Sequence, residues 1–265
     1  MSRRRVLLAG ALGRMGERLT ALLEDHPELV LASALERPGH PALGRELAPG
    51  VRLGENAAAA LASVEIAIVF ANPAATLSLV RLAAGHGLPC VVGTTGLSPE
   101  QKKEIEALAK RIPIVFTSNF SVAVNVLFHL VREASRLLGD GFDAEIVELH
   151  HAGKIDAPSG TALRIAEAIA EGRGPEPELS LVLAREGETG VRPKPSIGVV
   201  ALRGGDNPGE HTALFIGQGE RLELTHRSAT RDHFARGALV AASWLLGRPP
   251  GLYDMEQVLG LAARE

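Results

Sequence analysis

The chain has 265 residues, of which 46% are hydrophobic and 22% are charged, so it can bury the core of one or two domains. Its net charge of −3 argues against a globally basic surface, and no apolar stretch approaches the roughly 18 residues that span a bilayer. We therefore expect neither a nucleic-acid partner nor a membrane partner.

Two further features of the composition concern the core. Aromatic residues make up only 3% of the chain, so the core must consist mainly of Ala, Val, Leu and Ile, which suits parallel strands covered by helices. The single cysteine, Cys90, lies in an apolar run and is expected to be a core residue rather than a nucleophile. A chain with one cysteine forms no internal disulfide, which fits a reducing compartment such as the cytoplasm.

Residues 1–118 alternate between short apolar runs and stretches with the spacing of an amphipathic helix. The runs that predict strands are 6–9, 29–35, 64–70, 89–92 and 114–116. Helices are predicted from Arg14 onward, over 74–86, and from the N-cap candidate Ser98 to about Arg111. This alternation predicts a parallel sheet of the Rossmann type with right-handed crossovers.

The pattern changes after a long helix that is predicted over 122–138. The strand-like runs that follow are 145–150, 179–184, 196–203, 211–217 and 221–227. Residues 172–177 read as a loop, and helical spacing returns at 233–247 and near 254–263. The sequence thus predicts an α/β protein, in which a Rossmann-type parallel sheet is joined to an α+β domain with a mixed or antiparallel sheet.

A glycine-rich turn lies between the first predicted strand and the first predicted helix. It consists of Gly10, Ala11, Leu12, Gly13, Arg14, Met15 and Gly16. Glycines let the backbone approach a diphosphate, and the following helix aims N–H groups and the positive end of its dipole at the anion. The usual fingerprint has glycines at the first, third and sixth positions, whereas in this chain they stand at the first, fourth and seventh. A plain strand-to-helix turn is the alternative, but the setting favours a dinucleotide site.

Residues at the ends of the later strands should complete this site, because ligands of doubly wound sheets lie beyond the carboxyl ends of the strands. At the second strand end, Glu36 can bind the adenosine ribose and Arg37 can face a 2′-phosphate, so together they suggest tolerance of NADH and NADPH. The residues expected around the nicotinamide half are Phe70, Gly93, Thr94, Thr95, Thr117, Ser118, Asn119 and Phe120. Each loop alone is more often an ordinary turn, and Glu36-Arg37 alone is better interpreted as an exposed charged pair. Only the shared position of these residues favours a site.

The segment 148–161 has the densest chemistry in the sequence, and its second half predicts an anion site. Ser159, Gly160 and Thr161 open a predicted helix that Gly172 is expected to close. The backbone N–H groups of Gly160 and Thr161, with the hydroxyls of Ser159 and Thr161, are suited to hold a carboxylate.

The first half of the same segment predicts proton donors. A strand ends in His150 and His151, and a short turn then carries Lys154. His151 and Lys154 can add positive charge, and His150 can donate a proton near neutral pH. Proton donors beside an anion site suit a reductase of an imine or conjugated alkene, in which hydride reaches carbon and a proton reaches the neighbouring atom.

Two other interpretations of His150 and His151 remain open at this point. The pair could ligate a metal, but adjacent strand residues point to opposite faces and no third ligand has metal-site spacing, so we predict no metal. A buried histidine beside a solvated lysine would be the better interpretation of a lone histidine, and it fits less well with a Ser-Gly-Thr helix start.

These motifs resemble the 4-hydroxy-tetrahydrodipicolinate reductase family, also called dihydrodipicolinate reductases, of the diaminopimelate–lysine pathway. The matching stretches follow one another along nearly the whole chain: 10–16, 35–37, 93–96, 118–121, 148–151, 154–163, 203–212, 220–226 and 234–238. The resemblance implies an NADH- or NADPH-dependent reduction of the cyclic imine formed from pyruvate and aspartate semialdehyde.

The resemblance also implies roles for single residues. The position that matches His150 is a general acid/base, and the one that matches Lys154 is a proton donor or substrate anchor. Positions that match His151, Gly160 and Thr161 hold the carboxylates of the small cyclic dicarboxylic substrate.

At the level of domains, the resemblance implies a cytoplasmic homotetramer that is built by the second domain, with C-terminal residues that return to the cofactor domain. We therefore predict a dinucleotide-binding domain at 1–121 and 231–265. Residues 122–230 are predicted to bind the substrate and to form the oligomer.

The sequence departs from the family pattern in two places. Leu12 replaces a common glycine, which could change the fit at the diphosphate, and Ala152-Gly153 replaces a frequent basic pair, which removes positive charge near the substrate. Two other functions remain to be tested: a related amino-acid dehydrogenase, for example one acting on aspartate, and a cofactor-sensing regulator that would not need His150 and Lys154.

Overall fold

The computed structural model of the protein describes residues 2–175, 178 and 180–261. The chain folds into two compact units. The terminal unit contains Met1–Val122 and Asp232–Glu265, and the central unit contains Ala123–Arg231. Within the described residues, no helix combines the length and the apolar character that a membrane crossing requires.

Strands alternate with helices through much of the chain. The first part contains β1 (Arg4–Ala9), α1 (Arg14–Glu24), β2 (Leu29–Leu35), β3 (Glu46–Ala48), β4 (Val51–Gly54), α2 (Ala57–Leu61), β5 (Ile66–Val69), α3 (Pro73–Gly85), β6 (Cys90–Val92), α4 (Pro99–Ala109) and β7 (Pro113–Phe116). The middle part contains α5 (Val122–Leu138), β8 (Asp143–His150), α6 (Gly160–Arg173), β9 (Ser180–Val182), β10 (Ser196–Arg203), β11 (Glu210–Ile216) and β12 (Arg221–Arg227). The last part contains α7 (Asp232–Leu245), β13 (Gly251–Tyr253) and α8 (Met255–Val258).

The sheet of the terminal unit has the strand order β13-β7-β6-β5-β1-β2-β4-β3. All neighbouring strands are parallel except β3 and β4, which form an antiparallel pair. Alternate residues of β1 enter two different cores: Val6 and Leu8 pack in the one that contains α1 and α7, and Leu7 packs in the one that contains α3 and α4. A strand segment buried on both faces is expected to be apolar, as residues 6–9 of β1 are; the two arginines that begin the strand are exposed. The predicted Rossmann-type parallel sheet is confirmed.

The sheet of the central unit has the strand order β12-β11-β8-β10-β9. Strand β10 is parallel to β8 and β9, whereas β11 is antiparallel to β8 and β12, so the predicted mixed sheet is also confirmed. Helices α5 and α6 cover one face, where Ala144 and Ile146 of β8 are buried. Burial alternates along β8, so Glu148 and His150 continue the covered face to the carboxyl end of the strand.

Several predictions about single elements were wrong or incomplete. The short strands β3, β4 and β13 were missed, because three or four residues carry too little periodicity to predict a strand. Strand β9 covers only part of the predicted 179–184, of which residue 179 lies outside the described residues, as do 176–177 of the predicted loop and 262–263 of the last predicted helix.

Gly172 does not close α6 as predicted. The helix continues to Arg173, and the C-cap is Gly174, which has the positive φ of +90° that favours glycine. Gly172 instead lies against α5, where a Cβ atom would stand 2.3 Å from the carbonyl oxygen of Arg132. Its lack of a side chain therefore serves the close approach of two helices.

Candidate active site

The glycine-rich turn of the terminal unit is shaped by two glycines that tolerate no side chain. Gly10 has a φ of +78°, and a Cβ atom there would lie 2.2 Å from the carbonyl oxygen of Phe70 at the end of β5. A Cβ atom at Gly16 would lie 2.2 Å from the carbonyl oxygen of Gly10, so this glycine lets α1 pack on the turn. Gly13 is the N-cap of α1 and makes no side-chain cap, which leaves the first-turn amides available to an anion. This backbone fits a diphosphate.

Glu36 supports the turn from the end of β2. One carboxylate oxygen accepts a hydrogen bond from the Leu12 backbone N–H at 3.3 Å, and the other accepts one from the Arg37 backbone N–H at 3.0 Å. The carboxylate is thereby fixed beside the turn, and lone pairs remain on both oxygens for ribose hydroxyls.

Leu12 leaves the diphosphate side of the turn open. Its side chain packs against the core of α1 and α7 and lines a separate cavity near residues 45–49. It lines neither of the two cavities at the strand ends. The departure from glycine at this position therefore does not fill the cradle, because only the backbone of Leu12 faces Glu36.

Two adjacent cavities of the terminal unit lie at the ends of the parallel strands. The first, of about 440 Å³, is lined by Gly10, Gly13, Glu36, Arg37, Phe70 and Asn72, among others. The second, of about 360 Å³, is lined by Gly13, Arg14, Met15, Phe70, Gly93, Thr94, Thr95, Ser118, Phe120 and Phe234, among others. Both cavities share Gly13 and Phe70, so they meet at the glycine-rich turn, and each has the size of a small-molecule site.

Five of the predicted cofactor residues line neither cavity: Ala11, Leu12, Gly16, Thr117 and Asn119. Thr117 and Asn119 shape their loop instead, since the Thr117 hydroxyl accepts a hydrogen bond from the Asn119 backbone N–H at 3.1 Å. Asn72 follows Phe70 in the same strand-end loop, caps α3 and lines the first cavity. Phe234 was not assigned to the cofactor site, although it lies in a stretch that matches the family.

The loops that were predicted to face the nicotinamide are held by close packing. Gly93 leaves room for the Phe70 ring, since a Cβ atom there would lie 2.1 Å from a ring carbon. Phe70 packs against Phe120 with ring centroids 5.6 Å apart. The Thr94 hydroxyl is buried and hydrogen-bonded to the Thr76 hydroxyl at 2.6 Å, so the loop after β6 is tied to α3.

The central unit gathers its polar groups around Glu148, which has no exposed surface. This carboxylate accepts hydrogen bonds from His150 Nδ1 at 2.5 Å and from the Ser159 backbone N–H at 3.1 Å. Two further hydrogen bonds come from the Arg203 guanidinium, at 2.9 and 3.0 Å. Burial works to raise the pKa of Glu148, but the donors from Arg203, His150 and Ser159 outweigh it and lower the pKa. Glu148 therefore stays ionised at neutral pH.

His150 is nearly buried, and its environment holds it neutral. Burial lowers the pKa of His150 below its usual value; Glu148 acts to raise the pKa, and the charges of Lys154 and Arg203 lower it further. Because ionised Glu148 can only accept, the proton of the neutral imidazole lies on Nδ1 and a lone pair lies on Nε2. The ring can take up a proton at Nε2 and give it back.

Lys154 lies in the turn that follows. Its ammonium group contacts both carboxylate oxygens of Asp156 at 2.7 Å, and this pairing lowers the pKa of Asp156. Asp156 is largely exposed, whereas the Lys154 side chain is mostly buried. The backbone of His151 is fixed by a 2.9 Å hydrogen bond from its N–H to the Asn207 carbonyl.

The start of α6 is buried at Ser159 and exposed at Gly160. The Ser159 hydroxyl accepts the Ala162 N–H at 3.1 Å and is hydrogen-bonded to His211 Nε2 at 3.0 Å. Burial, and next the charge of His150, lower the pKa of His211 to about 3, so His211 is neutral. Gly160, the first residue of the helix, is exposed, and its N–H has no acceptor within the helix.

Glu148, Arg203 and His211 are the contributors that sequence reasoning did not assign. Glu148 had a usable signal, because it precedes His150 by two residues on a strand and so shares its face. Arg203 and His211 come from β10 and β11, and only strand pairing brings them there; Arg203 stands opposite His150 in the parallel register. No group of three or more His, Cys, Asp or Glu side chains in the described part of the chain is placed to hold a metal ion.

Comparisons with known proteins bear on both units. The family model described as dihydrodipicolinate reductase, N-terminus, matches residues 4–120, and the one described as dihydrodipicolinate reductase, C-terminus, matches residues 123–259. The chain is 47% identical over 264 residues to 4-hydroxy-tetrahydrodipicolinate reductases from Anaeromyxobacter dehalogenans and from Desulfotalea psychrophila, covering 97% of this chain and 98% of each relative.

A solved structure shares the fold. It is a dipicolinate-bound dihydrodipicolinate reductase from Paenisporosarcina sp. TG-14, with a TM-score of 0.78 and 24% identity, covering 96% of this chain and 98% of that one. The resemblance found in the motifs is confirmed by matches that run through both units: the chain belongs to the dihydrodipicolinate reductase family.

Proposed function

We propose that this protein reduces 4-hydroxy-tetrahydrodipicolinate to tetrahydrodipicolinate with NADH or NADPH, a step of lysine biosynthesis through diaminopimelate. The observation that carries the proposal is the cluster at the carboxyl end of β8, where one buried carboxylate joins His150 to the start of α6. Membership of the reductase family gives this cluster its substrate class.

The substrate carries two carboxylates, and the cluster offers two kinds of anion partner. The exposed N–H of Gly160 and the neighbouring Thr161 stand at the positive end of α6. Lys154 and His151 stand in the turn after β8, and Lys154 can exchange Asp156 for a substrate carboxylate. Ser159 contributes through the cap rather than directly, because its hydroxyl is already used by Ala162 and His211.

The net reaction adds one hydride and one proton to the ring and releases one water. His150 is suited to the proton step, because its Nε2 lone pair accepts a proton that the same atom can later deliver. Lys154 is the second donor within the cluster. Either group would protonate the enamine-like carbon or nitrogen that a hydride addition leaves behind.

The terminal unit would hold the cofactor. Gly10 and Gly13 would present backbone to the diphosphate, and Gly16 lets α1 pack on their turn. Glu36 would face the ribose, and Arg37 is exposed beside the same cavity. When bound, the reduced nicotinamide would supply the hydride. Phe70, Phe120 and the loop after β6 would form the walls around the ring and exclude water.

We further propose a cytoplasmic homotetramer. The face of the central sheet opposite α5 and α6 carries outward-pointing apolar residues, namely Val147, Leu149, Val200, Leu202, Leu214 and Ile216. Leu202 is 46% exposed and Val200 42%, and apolar patches of this kind favour association with another subunit. Light scattering on the purified protein should give the mass of four chains, and a monomer at micromolar concentration would contradict this part.

The test of the function is the loss of reduced-nicotinamide absorbance with substrate generated in situ from pyruvate and aspartate semialdehyde. His150→Gln and Lys154→Ala should each lower turnover by on the order of 10²–10⁴, as expected for proton-transferring groups. Lys103→Ala, which removes an exposed lysine of α4, is the control and should leave turnover unchanged. Cofactor binding without any turnover would instead identify a sensor, and activity on aspartate alone would identify a different dehydrogenase.

A further inference from the structure

Glu148 has a hydrogen-bonding pattern that divides its two oxygens between different tasks. Oε1 accepts from the Ser159 backbone N–H and from Arg203 Nη2. Oε2 accepts from His150 Nδ1 and from Arg203 Nη1. All four partners act as donors, so the full acceptor capacity of an ionised carboxylate is used in one buried position.

The same carboxylate joins three elements of the central unit. Glu148 lies on β8, Arg203 ends β10, and Ser159 caps α6. Arg203 also donates to the carbonyl oxygen of Asp156 at 2.7 Å, so the turn that carries Lys154 is held by the same group. A shift of this carboxylate would therefore displace both the proton-transfer group and the anion site.

The second ring nitrogen of His150 lies beside Gly209. A Cβ atom at Gly209 would stand 2.8 Å from Nε2, and the φ of this residue is +149°, so the space beside Nε2 depends on glycine. The Gly209 N–H is fixed by the Asn207 side chain at 2.8 Å. The imidazole ring is thus held by a hydrogen bond at Nδ1, while the lack of a side chain at Gly209 leaves space beside Nε2.

We propose that Glu148, oriented by Arg203, is a positioning residue that locks His150 as the Nδ1–H tautomer with Nε2 free for proton exchange, and that it fixes the start of α6 at the same time. The proposal rests on the proposed function for its catalytic consequence, but the tautomer itself is independent of the substrate. In Ser-His-Asp hydrolases the corresponding carboxylate acts in the same way, and its conversion to an amide costs about 10⁴ in turnover because the tautomer is wrong.

Glu148→Gln is the informative variant, because an amide has one acceptor and one donor edge. With its oxygen at the Oε1 position, the glutamine keeps Ser159 and one Arg203 bond, and only Arg203 Nη1 is opposed by a donor. In the reverse orientation, both Ser159 and Arg203 Nη2 would meet an NH₂ group. The first orientation is therefore favoured, and it presents a donor to His150 Nδ1, which moves the imidazole proton to Nε2.

The direct test is the ¹⁵N spectrum of the histidine side chains in the full-length protein without substrate. His150 is assigned from the signal that is lost in His150→Gln. The wild type should show a protonated Nδ1 and an unprotonated Nε2, and Glu148→Gln should show the reverse. A wild-type spectrum with the proton on Nε2 would overturn the proposal, whatever the variants do.

The kinetic test separates positioning from a general structural role. Glu148→Gln should lower kcat by on the order of 10²–10⁴ while KM changes by less than about threefold, because the anion site keeps its backbone bond to residue 148. Glu148→Asp, which restores an acceptor-only group, should recover part of kcat and the wild-type tautomer. A change in KM with an unchanged kcat would contradict the assignment.

The pH profile supplies a second readout. The ionisable groups around His150 are Glu148, Arg203, Lys154 and His211, and only Glu148 acts to raise the pKa of His150. Removing that charge should move the limb of the kcat profile that belongs to His150 to lower pH. An unchanged limb, with kcat reduced, would mean that Glu148 acts only on stability.

The matched control is Glu145→Gln. Glu145 lies on the same strand and is paired with two arginines, Arg185 and Arg192, at 2.7–3.1 Å, but it points to the other face of the sheet. The Glu145→Gln variant should leave three quantities unchanged: kcat, the tautomer of His150 and the limb of the pH profile that belongs to His150. If the wild type fails to reduce the substrate, the proposed function fails; if the wild type is active and Glu148→Gln behaves like Glu145→Gln, only this inference fails.

Discussion

The two candidate binding regions of this protein are built on opposite physical principles. In the terminal unit, the turn after β1 is defined by the atoms it lacks, because Gly10 and Gly16 approach other backbone atoms more closely than any Cβ allows. In the central unit, the end of β8 is defined by buried side chains, above all Glu148 with its four donors. The glycine-rich turn should therefore lose its shape when a side chain is added to Gly10 or Gly16. The cluster at the end of β8 should lose its shape when a buried side chain is removed or changes its charge.

The sharpest contrast should come from removing the buried carboxylate. Glu148→Ala leaves Arg203 without its buried counter-charge and Ser159 N–H without an acceptor, so the free energy of unfolding should fall by about 3–5 kcal/mol. Urea denaturation followed by circular dichroism measures this. Glu145→Ala should cost less, because the Glu145 side chain keeps 18% of its surface exposed whereas Glu148 has none. Equal losses in the two variants would remove the distinction between the fully buried carboxylate of Glu148 and the partly exposed one of Glu145.

The second prediction concerns the buried His211, whose pKa is lowered to about 3 by burial and by the charge of His150. The folded protein keeps this group neutral while the unfolded chain takes up a proton below about pH 6.5, so stability falls as the pH drops through that window. Over about two pH units this amounts to about 3 kcal/mol, since each unit is worth about 1.4 kcal/mol.

The measurement for His211 is the unfolding free energy between about pH 7 and pH 4.5, in the wild type and in His211→Gln. Glutamine places an amide nitrogen near the position of Nε2 and keeps the contact with Ser159, but it does not titrate. The variant should therefore lose less stability on acidification than the wild type. Parallel curves would show that His211 becomes charged in the folded state.

The third prediction adds a single methyl group to the backbone site. Gly10→Ala should weaken NADH binding by about 10- to 100-fold, because alanine at a φ of +78° is strained by about 1–3 kcal/mol and its Cβ overlaps Phe70. Gly13→Ala is the control, since Gly13 has a φ of −71° and its Cβ would lie 3.2 Å from the nearest atom. Titration calorimetry measures both, and a larger loss for Gly13 than for Gly10 would contradict the backbone account.

The smallest effect is expected for cofactor choice. Arg37→Ala removes an exposed cation beside the cavity that Glu36 lines, so the ratio of NADPH to NADH affinity should fall by about tenfold, or about 1.4 kcal/mol. NADH binding should stay nearly constant, because Glu36 keeps its position on the turn. If the affinities for NADPH and NADH fell by the same factor, Arg37 would support the shape of the cavity rather than bind the 2′-phosphate.

The sequence allowed most of the fold to be predicted, because periodicity is strong where strands and helices are long. The parallel sheet and the mixed sheet are confirmed, while β3, β4 and β13 escaped because each has only three or four residues. Gly172 was misplaced because a glycine that separates two packed helices leaves the same trace in a sequence as one that ends a helix.

The residues of the candidate site also differ in how far the sequence could predict them. Residues contiguous in sequence, such as His150, Lys154 and Gly160, carried a visible pattern, and their roles stay predictions until variants are measured. Arg203 and His211 lie on other strands, and only the pairing register of those strands brings them to His150. The order of residues in the sequence does not reveal that register. Glu148 was accessible through the two-residue repeat of a strand.

The position of Leu12 has a consequence for how such proteins are recognised. Its partly buried side chain packs against the core of α1 and α7 while its peptide N–H binds Glu36, so a side chain larger than that of glycine fits here without lining either cavity at the strand ends. A pattern search that requires glycines at the first, third and sixth positions would discard this chain, although Gly10 and Gly16 meet the tightest steric requirement of the turn. Screening genomes by the contacts each glycine must permit, rather than by consensus letters, would retain it.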